Sequence, residues 1–234
     1  MDFKYVIIII AIVFLLLVVL GLAIVNYSTE EMFEKFKDAN IYSVGITPLE
    51  FAQLINGLHF ENKIKIKFKY SYFADSFSSD GYLTISSKYA NKNELAGLAI
   101  CAHELGHAFQ FKETPKKMKN HSKRLALSRA VSSLISPLII CGILFIIFYN
   151  IYIGLALLLL GLFVFFIAIT TKLSTLKIEK EASIRAIKLL EMYCNLTEHQ
   201  LVVAKKFLNS AKQTYLADVL KIMLKWTMLV RKDK

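Results

Sequence analysis

The feature that most constrains this chain is a long apolar stretch near its middle. Residues 131–170 form a run of 40 residues without a charged side chain, and residues 5–25 form a second run of 21. A helix needs about 20 apolar residues to cross the hydrocarbon core of a bilayer. We therefore expect one transmembrane span from the shorter run and a two-span hairpin from the longer one. The tyrosines on either side of Asn150 are typical of a membrane interface and predict the turn between the two spans.

The composition agrees with a membrane protein that also carries a water-soluble part. Hydrophobic residues make up 56% of the 234 residues, yet 29 Lys and Arg stand against 18 Asp and Glu, a formal charge of +11. So high an apolar content excludes an intrinsically disordered chain. Many of the basic residues flank the predicted spans, where the membrane accounts for them, so we expect no nucleic-acid partner.

The distribution of positive charge predicts the orientation of the chain in the membrane. A hairpin returns the chain to the side that it left, so residues 26–130 and 171–234 lie on one face. Lysines and arginines are abundant on that face and missing from the hairpin tip. The positive-inside rule places the face in the cytoplasm. The three cysteines are odd in number and scattered, which agrees with a reducing compartment. We predict a multi-pass protein of the cell membrane with three transmembrane helices.

Outside the spans, the sequence predicts a mainly α fold with a small β-sheet. Thr47-Pro48-Leu49-Glu50 is a typical start of a helix. Apolar residues alternate with lysines over residues 63–69, which predicts an edge strand, and Tyr82–Ser86 reads as a second short strand. Residues 93–111 have helical periodicity. Two glycines in this last helix, Gly97 and Gly106, lower helix propensity, so we expect each to permit a close packing approach.

The predicted helix at residues 93–111 contains the motif that carries chemistry, His103-Glu104-Leu105-Gly106-His107. Histidines four residues apart on a helix lie about 40° apart on one face, so both imidazoles can reach one Zn²⁺. A glutamate beside the first histidine can act as general base on the water that the zinc activates. The motif predicts zinc-dependent hydrolysis. The alternative is a buried helix with two structural histidines and a solvated glutamate.

The motif supplies two ligands, and a catalytic zinc needs a third. The metzincin pattern would place that ligand, a histidine, at the position of Glu113, so it does not apply. The remaining histidines have no partner at helical spacing, so we expect them to be ordinary core or surface residues: His59, His121 and His199.

A carboxylate on the helix after the hairpin is the better candidate for the third ligand. Glu179 and Glu181 point about 200° apart on that helix, so only one of them can face the metal. The face of Glu179 also carries small and apolar residues that can pack on a neighbouring helix: Ala182, Ala186 and Leu190. This favours Glu179, with Glu181 instead pairing with Arg185 one turn later. Periodicity alone does not exclude Glu181 as the third ligand.

The stretch Ala99-Ile100-Cys101-Ala102-His103-Glu104-Leu105-Gly106-His107-Ala108-Phe109-Gln110 resembles the signature of the YugP-type neutral zinc metallopeptidases. Residues 179–186 and 211–217 are similar to later motifs of that family. More distantly, the chain resembles the HtpX-type membrane metallopeptidases, which are of the gluzincin type. The resemblance implies that Glu179 completes the zinc site. Ser183 stands where the wider group has Asp, which implies a partner for a ligand histidine.

Taken together, these features predict a membrane-anchored zinc endopeptidase. His103, His107 and Glu179 would bind Zn²⁺, Glu104 would be the general base, and the substrates would be membrane or membrane-proximal proteins. We expect the strand Tyr82–Ser86 to be a candidate site for addition of a substrate strand. Candidate donors to the developing oxyanion are His199, Arg185 and Tyr215. The alternatives are a non-catalytic membrane scaffold and a lipid-surface binding protein, each with a structural metal site.

The predicted organisation has four consecutive parts. They are an N-terminal transmembrane anchor (1–25), a cytoplasmic catalytic part with the strands and the zinc helix (26–130), a transmembrane hairpin (131–170), and a cytoplasmic helical part with the third zinc ligand (171–234). The last part ends in an amphipathic helix, which packs on the body or lies on the membrane.

Overall fold

The computed structural model describes residue 27 and residues 30–70, 76–78 and 80–210, without the side chains of residues 128, 129 and 172. The first predicted span, residues 5–25, and the C-terminal stretch from residue 211, with Tyr215, lie outside the described residues. Within the described part, contacts divide the chain into two compact units. The larger unit contains residues 31–125 and 174–210, and the smaller contains residues 126–173.

Two helices open the larger unit, α1 over residues 30–40 and α2 over Pro48–Phe60. The start of α2 is fixed by a reciprocal cap: the Glu50 N–H donates to the Thr47 hydroxyl at 3.2 Å, and the Thr47 N–H donates to the Glu50 carboxylate at 2.8 Å. The helix start predicted at Thr47 is therefore confirmed. The buried side chain of Asn56, near the end of α2, hydrogen-bonds both the N–H and the carbonyl of Ile64, which fixes the entry into the sheet.

Three short strands form one sheet in the order β1-β3-β2: β1 at Lys65–Lys69, β2 at Ser76–Phe77 and β3 at Tyr82–Ser86. β1 runs parallel to β3 and β2 antiparallel to it. The lysine-rich strand lies at an edge, as predicted. The expectation that β3 could accept a substrate strand is wrong, because β3 is the central strand and pairs on both sides. The edge opposite β1 belongs to β2.

Helix α3 covers Leu95–Glu113, close to the predicted 93–111. Two of its glycines lie where neighbouring residues approach the helix closely. A Cβ on Gly97 would lie 2.7 Å from the Tyr89 ring, and a Cβ on Gly106 would lie 2.5 Å from the Ala182 carbonyl oxygen. Neither contact is compatible with a side chain. The prediction that these glycines permit close packing is confirmed.

The rest of the larger unit is helical. Helix α4, Pro115–Ser132, follows α3 after a break at Thr114 and contributes its residues up to 125, and α6, Ile151–Tyr193, contributes its residues from 174 onward. Residues 198–210 form α7. Apolar side chains from α2, β3, α3, α6 and α7 share one hydrophobic core, which includes Phe51, Leu83, Leu98, Leu190 and Phe207. The core holds α3 against α6, the two helices that carry the predicted site.

In the smaller unit, α5 (Ile135–Phe148) and the first part of α6 are joined by a turn at Tyr149 and Asn150, where the sequence predicted it. The Asn150 side chain caps α6 by accepting from the Tyr152 N–H at 2.9 Å. Gly142 and Gly154 face each other across the pair, since a Cβ on Gly154 would lie 2.6 Å from the Gly142 carbonyl oxygen. Small residues let apolar helices approach closely in this way.

Two helical stretches of the described chain, Pro115–Phe148 and Ile151–Tyr193, are long and apolar enough to cross a membrane. The sequence predicted three spans; the described residues contain two candidate helices, and residues 5–25 are not among them. The structure is otherwise mainly helical with a three-stranded sheet, as predicted.

Candidate metal centre

Helix α3 presents His103 and His107 one turn apart, toward α6. Their side chains are mostly buried, with 13% and 12% of their surface exposed. The two rings meet edge to face, with centroids 4.8 Å apart. Gly106, which directly precedes His107, contacts the α6 backbone at Ala182. Contact between the two helix backbones therefore occurs at the level of the histidines.

Glu179 on α6 lies between the two histidines. Its carboxylate Oε2 is 3.3 Å from His103 Nε2 and 3.2 Å from His107 Nε2, and the residue is 2% exposed. One ligand atom from each of the three residues lies within 4.8 Å of the others. Glu181 points elsewhere and binds Arg185 at 2.8 Å. The structure thus brings together the three residues that the sequence predicted as ligands.

The second ring nitrogen of each histidine, Nδ1, also has a hydrogen-bond partner. The His103 Nδ1 lies 3.2 Å from the Ser183 hydroxyl, which donates to the Glu179 carbonyl oxygen at 3.0 Å. A metal ligand needs the lone pair of Nε2, and Ser183 is placed to accept the Nδ1–H of His103 in the tautomer that provides it. Ser183 thus lies where the family resemblance implied a partner for a ligand histidine.

Gln110 holds the other histidine, and the sequence reasoning missed it. Its Oε1 lies 2.9 Å from His107 Nδ1, and its Nε2 donates to the Ile178 carbonyl oxygen at 3.0 Å. Gln110 is 3% exposed, so both bonds are made away from solvent. The sequence contained one signal for this role: a residue three positions after His107 lies on the same helix face as His107.

The charge of Glu179 changes the acid–base behaviour of His107. Burial alone lowers the pKa of His107, but the hydrogen bond to Glu179 and the negative charges of Glu104 and Glu179 raise that pKa to about 9. Without a metal ion, the site therefore favours an imidazolium beside a carboxylate. A proton and a cation compete for the same nitrogen.

Glu104 lies on the sheet side of α3. Its carboxylate Oε2 accepts a hydrogen bond of 2.9 Å from the Phe77 N–H of β2. The Ser78 N–H, one residue later, donates to the Tyr82 carbonyl oxygen within the sheet. The successive amides of Phe77 and Ser78 therefore point in opposite directions, and Phe77 directs its N–H away from β3, toward Glu104.

His121, which was expected to be an ordinary core or surface residue, is a buried residue close to the site. His121 is 7% exposed, and its Nε2 lies 4.0 Å from the second carboxylate oxygen of Glu179. It comes from α4, which follows α3 after the break at Thr114. No helical periodicity links His121 to His103 or His107, so its position near Glu179 becomes visible only from the packing of α4 against α6.

The other candidate residues make different contacts. His59 hydrogen-bonds the Tyr193 hydroxyl at 2.7 Å, and the His199 ring lies against Tyr42 with centroids 5.4 Å apart. Arg185 forms two hydrogen bonds of 2.6 Å with Glu113 in addition to its bond with Glu181. These bonds engage the guanidinium group of Arg185, which argues against its predicted role as an oxyanion donor.

The donor set fits zinc. Two imidazole nitrogens and one carboxylate oxygen are the ligands of a catalytic His₂Glu zinc site, which keeps a further position for water or substrate. The buried Glu179 carboxylate supplies negative charge, and the bonds to Ser183 and Gln110 direct both Nε2 atoms inward. Such a set on a His-Glu-x-x-His helix defines the class of the zinc-dependent peptidases.

Comparison with known families places the chain within this class. The model of a family described as "putative neutral zinc metallopeptidase" matches residues 7–232. The match covers nearly the whole chain, and the protein belongs to this family. No curated protein and no solved structure shows significant similarity to the chain.

Proposed function

We propose that the protein is a membrane-anchored zinc endopeptidase. The observation that carries the proposal is the convergence of three side chains, His103, His107 and Glu179, within 4.8 Å beside Glu104. Membership of a zinc metallopeptidase family supports the same chemistry. Peptides or proteins are then the substrate class.

In this proposal His103, His107 and Glu179 hold Zn²⁺, which when bound supplies a Lewis acid and lowers the pKa of a water molecule. Glu104 is the general base: it takes a proton from the attacking water and passes it to the leaving amine. Ser183 and Gln110 orient the histidines through their Nδ1 atoms.

We propose further that the smaller unit anchors the protein in a bilayer. Large apolar side chains on α5 and α6 point outward, with Phe148, Leu159 and Phe163 exposed by 78%, 62% and 62%. Such surfaces are costly in water and suited to lipid. In this proposal residues 1–25 add a further span, and the segments rich in basic residues face the cytoplasm, as the positive-inside rule favours. Membrane or membrane-proximal proteins are the substrates that such a location favours.

The catalytic role is tested by comparing wild type with Glu104→Gln, both purified in detergent. Glu104 is not a ligand in the proposal, so both proteins should bind about one equivalent of zinc. Only wild type should cleave an unfolded protein such as casein, since loss of a general base lowers the rate by about 10²–10⁴-fold. Equal cleavage by both proteins would refute the role of Glu104.

The same preparations test the metal site. Glu179→Ala should lose most of its zinc, because a buried ligand is removed. Glu181→Ala is the matched control, since it removes the same carboxylate two residues later from a solvent-exposed ion pair. Zinc loss in the control alone would transfer the ligand role to Glu181.

A further inference from the structure

A cavity of about 640 Å³ lies between α4 and the part of α6 that belongs to the larger unit. Its lining contains four cationic side chains: Lys116, Lys117, Arg124 and Lys177. No described residue that lines it is acidic. The cavity is therefore bordered by four cationic residues and by no described acidic one.

The cavity lies beside the candidate metal centre. His121 and Ile178 also line it. His121 Nε2 is 4.0 Å from Glu179 Oε1, and Ile178 directly precedes Glu179. His121 thus forms part of the cavity wall and also approaches the proposed zinc ligand Glu179. A group bound in the cavity would therefore lie one side chain away from Glu179.

The charge of the cavity differs from that of neighbouring surfaces. Arg185, one and a half turns beyond Glu179 on α6, is matched by the carboxylates of Glu113 and Glu181. Among the described residues, no carboxylate forms an ion pair with the four cations of the cavity. Glu181 lies close enough to Lys117 to interact with its charge, but four cations near one cavity still leave an excess of positive charge, which attracts an anion that enters.

We infer that the cavity is a subsite for a carboxylate of the substrate peptide, so that the peptidase prefers an acidic group near the scissile bond. This inference rests on the proposed function. The carboxylate comes from an Asp or Glu side chain or from the free C-terminus, which have the same chemistry. The nearness of His121 to Glu179 favours a substrate group over a membrane headgroup, because it connects the cavity to the catalytic side chains.

The test measures peptide binding to the full-length, zinc-loaded Glu104→Gln protein, which binds without turnover. Fluorescent peptides with Glu at successive positions are compared with Gln isosteres, and free C-termini are compared with amidated ones. We expect the best-placed carboxylate to bind about tenfold more tightly than its neutral counterpart at low salt. The position at which the preference occurs identifies the source of the carboxylate.

Two double variants on α4 make the test specific. Lys117→Gln/Arg124→Gln removes two charges from the cavity, and we expect the tenfold preference to fall to about twofold or less. Lys119→Gln/Lys123→Gln removes the same charge from exposed residues of α4 that do not line the cavity, and it should retain the preference. Zinc content, measured in all proteins, should stay unchanged.

Equal binding of acidic and neutral peptides, or equal loss in both double variants, would overturn the inference. It would also be overturned if the Lys117/Arg124 variant lost binding to anionic lipid vesicles and kept its peptide preference, because the cavity would then be a lipid site. Absence of peptide cleavage by wild type, with the binding preference intact, would instead refute the proposed function alone.

Discussion

At the scale of single residues, Gln110 has the most unusual position in the site. It accepts from one histidine of the motif and donates to the carbonyl of Ile178, the residue before Glu179. One amide therefore fixes a predicted ligand on α3 relative to a predicted ligand on α6. A buried side chain that makes two such bonds orients the site without binding the metal.

We expect Gln110→Leu to weaken zinc binding by about 10–100-fold, the usual effect of losing a partner that orients a metal ligand. Leucine has a similar volume but can make neither hydrogen bond. Zinc affinity, measured by competition with a chromophoric chelator, tests this. Gln200→Leu is the matched control, because the Gln200 side chain, on α7, bonds the Ser43 carbonyl and the Thr197 N–H rather than a residue of the site. An unchanged zinc affinity in Gln110→Leu would contradict the proposed role of Gln110 in orienting His107.

The raised pKa of His107 predicts how zinc binding responds to pH. An ordinary histidine would be deprotonated above pH 7, but His107, with a pKa of about 9, keeps its proton until that pH. Zinc must displace this proton, so the apparent affinity should rise from pH 6 up to about pH 9, by at most about tenfold per pH unit. Affinity that stops rising at pH 7 would show that His107 is neutral in the metal-free protein.

The same proton affects folding of the metal-free protein. A pKa raised above its unfolded value adds stability at low pH, and that stability is lost as pH rises through the folded-state pKa. Chelated protein should therefore lose this contribution between about pH 6.5 and 9, while zinc-loaded protein should not.

At the scale of elements, the contact between α3 and α6 determines the geometry of the site. Gly106 allows the α3 backbone to meet the Ala182 carbonyl, and Glu179 lies three residues, almost one turn, before Ala182. One of the two unspecified positions of the His-Glu-x-x-His motif is thus a packing surface.

Gly106→Ala should separate the two helices, because the new Cβ would lie 2.5 Å from backbone oxygen that has little freedom to move. We expect about 1–3 kcal/mol of lost stability, the range for overpacking, together with reduced zinc content. Thermal unfolding and bound zinc are the measurements. Gly57→Ala is the control: its Cβ would meet only the Asn62 side chain at 3.6 Å, and alanine should stabilise α2 slightly. Equal stability of Gly106→Ala and wild type would refute this account.

Local patterns in the sequence predicted most of the elements and part of the site. The cap at Thr47, the turn at Asn150 and the extent of α3 depend on neighbours within a few residues, so sequence captures them. The approach of α6 to α3 was anticipated through Gly106 and the face of Glu179. His121 and the central position of β3 depend on contacts between residues far apart in the chain, which periodicity does not record.

At the scale of the whole molecule, the distribution of apolar and basic residues leads to a proposal about topology. The turn at Asn150 joins two apolar helices that leave large side chains exposed. The basic residues lie in the segments before and after this pair. We therefore propose that the turn faces the outside of the cell and that the larger unit faces the cytoplasm.

A cysteine at Asn150 should react with a membrane-impermeant maleimide in intact cells. The experiment uses a Cys141→Ser background, because Cys141 is exposed whereas Cys101 and Cys194 are buried. A cysteine at Lys92, whose side chain is 56% exposed in the larger unit, is the control and should react only after lysis. The opposite labelling pattern would reverse the proposed orientation.

The hydrogen bond from Phe77 to Glu104 has a consequence for how a peptide could enter. β2 is an edge strand, and its outward N–H is occupied by the carboxylate that we propose as the base. A peptide that pairs with the outer edge of β2 must compete with Glu104 for this donor. Docking of such a peptide and release of the carboxylate would then be a single exchange, so the base would be liberated only when a strand has taken its place.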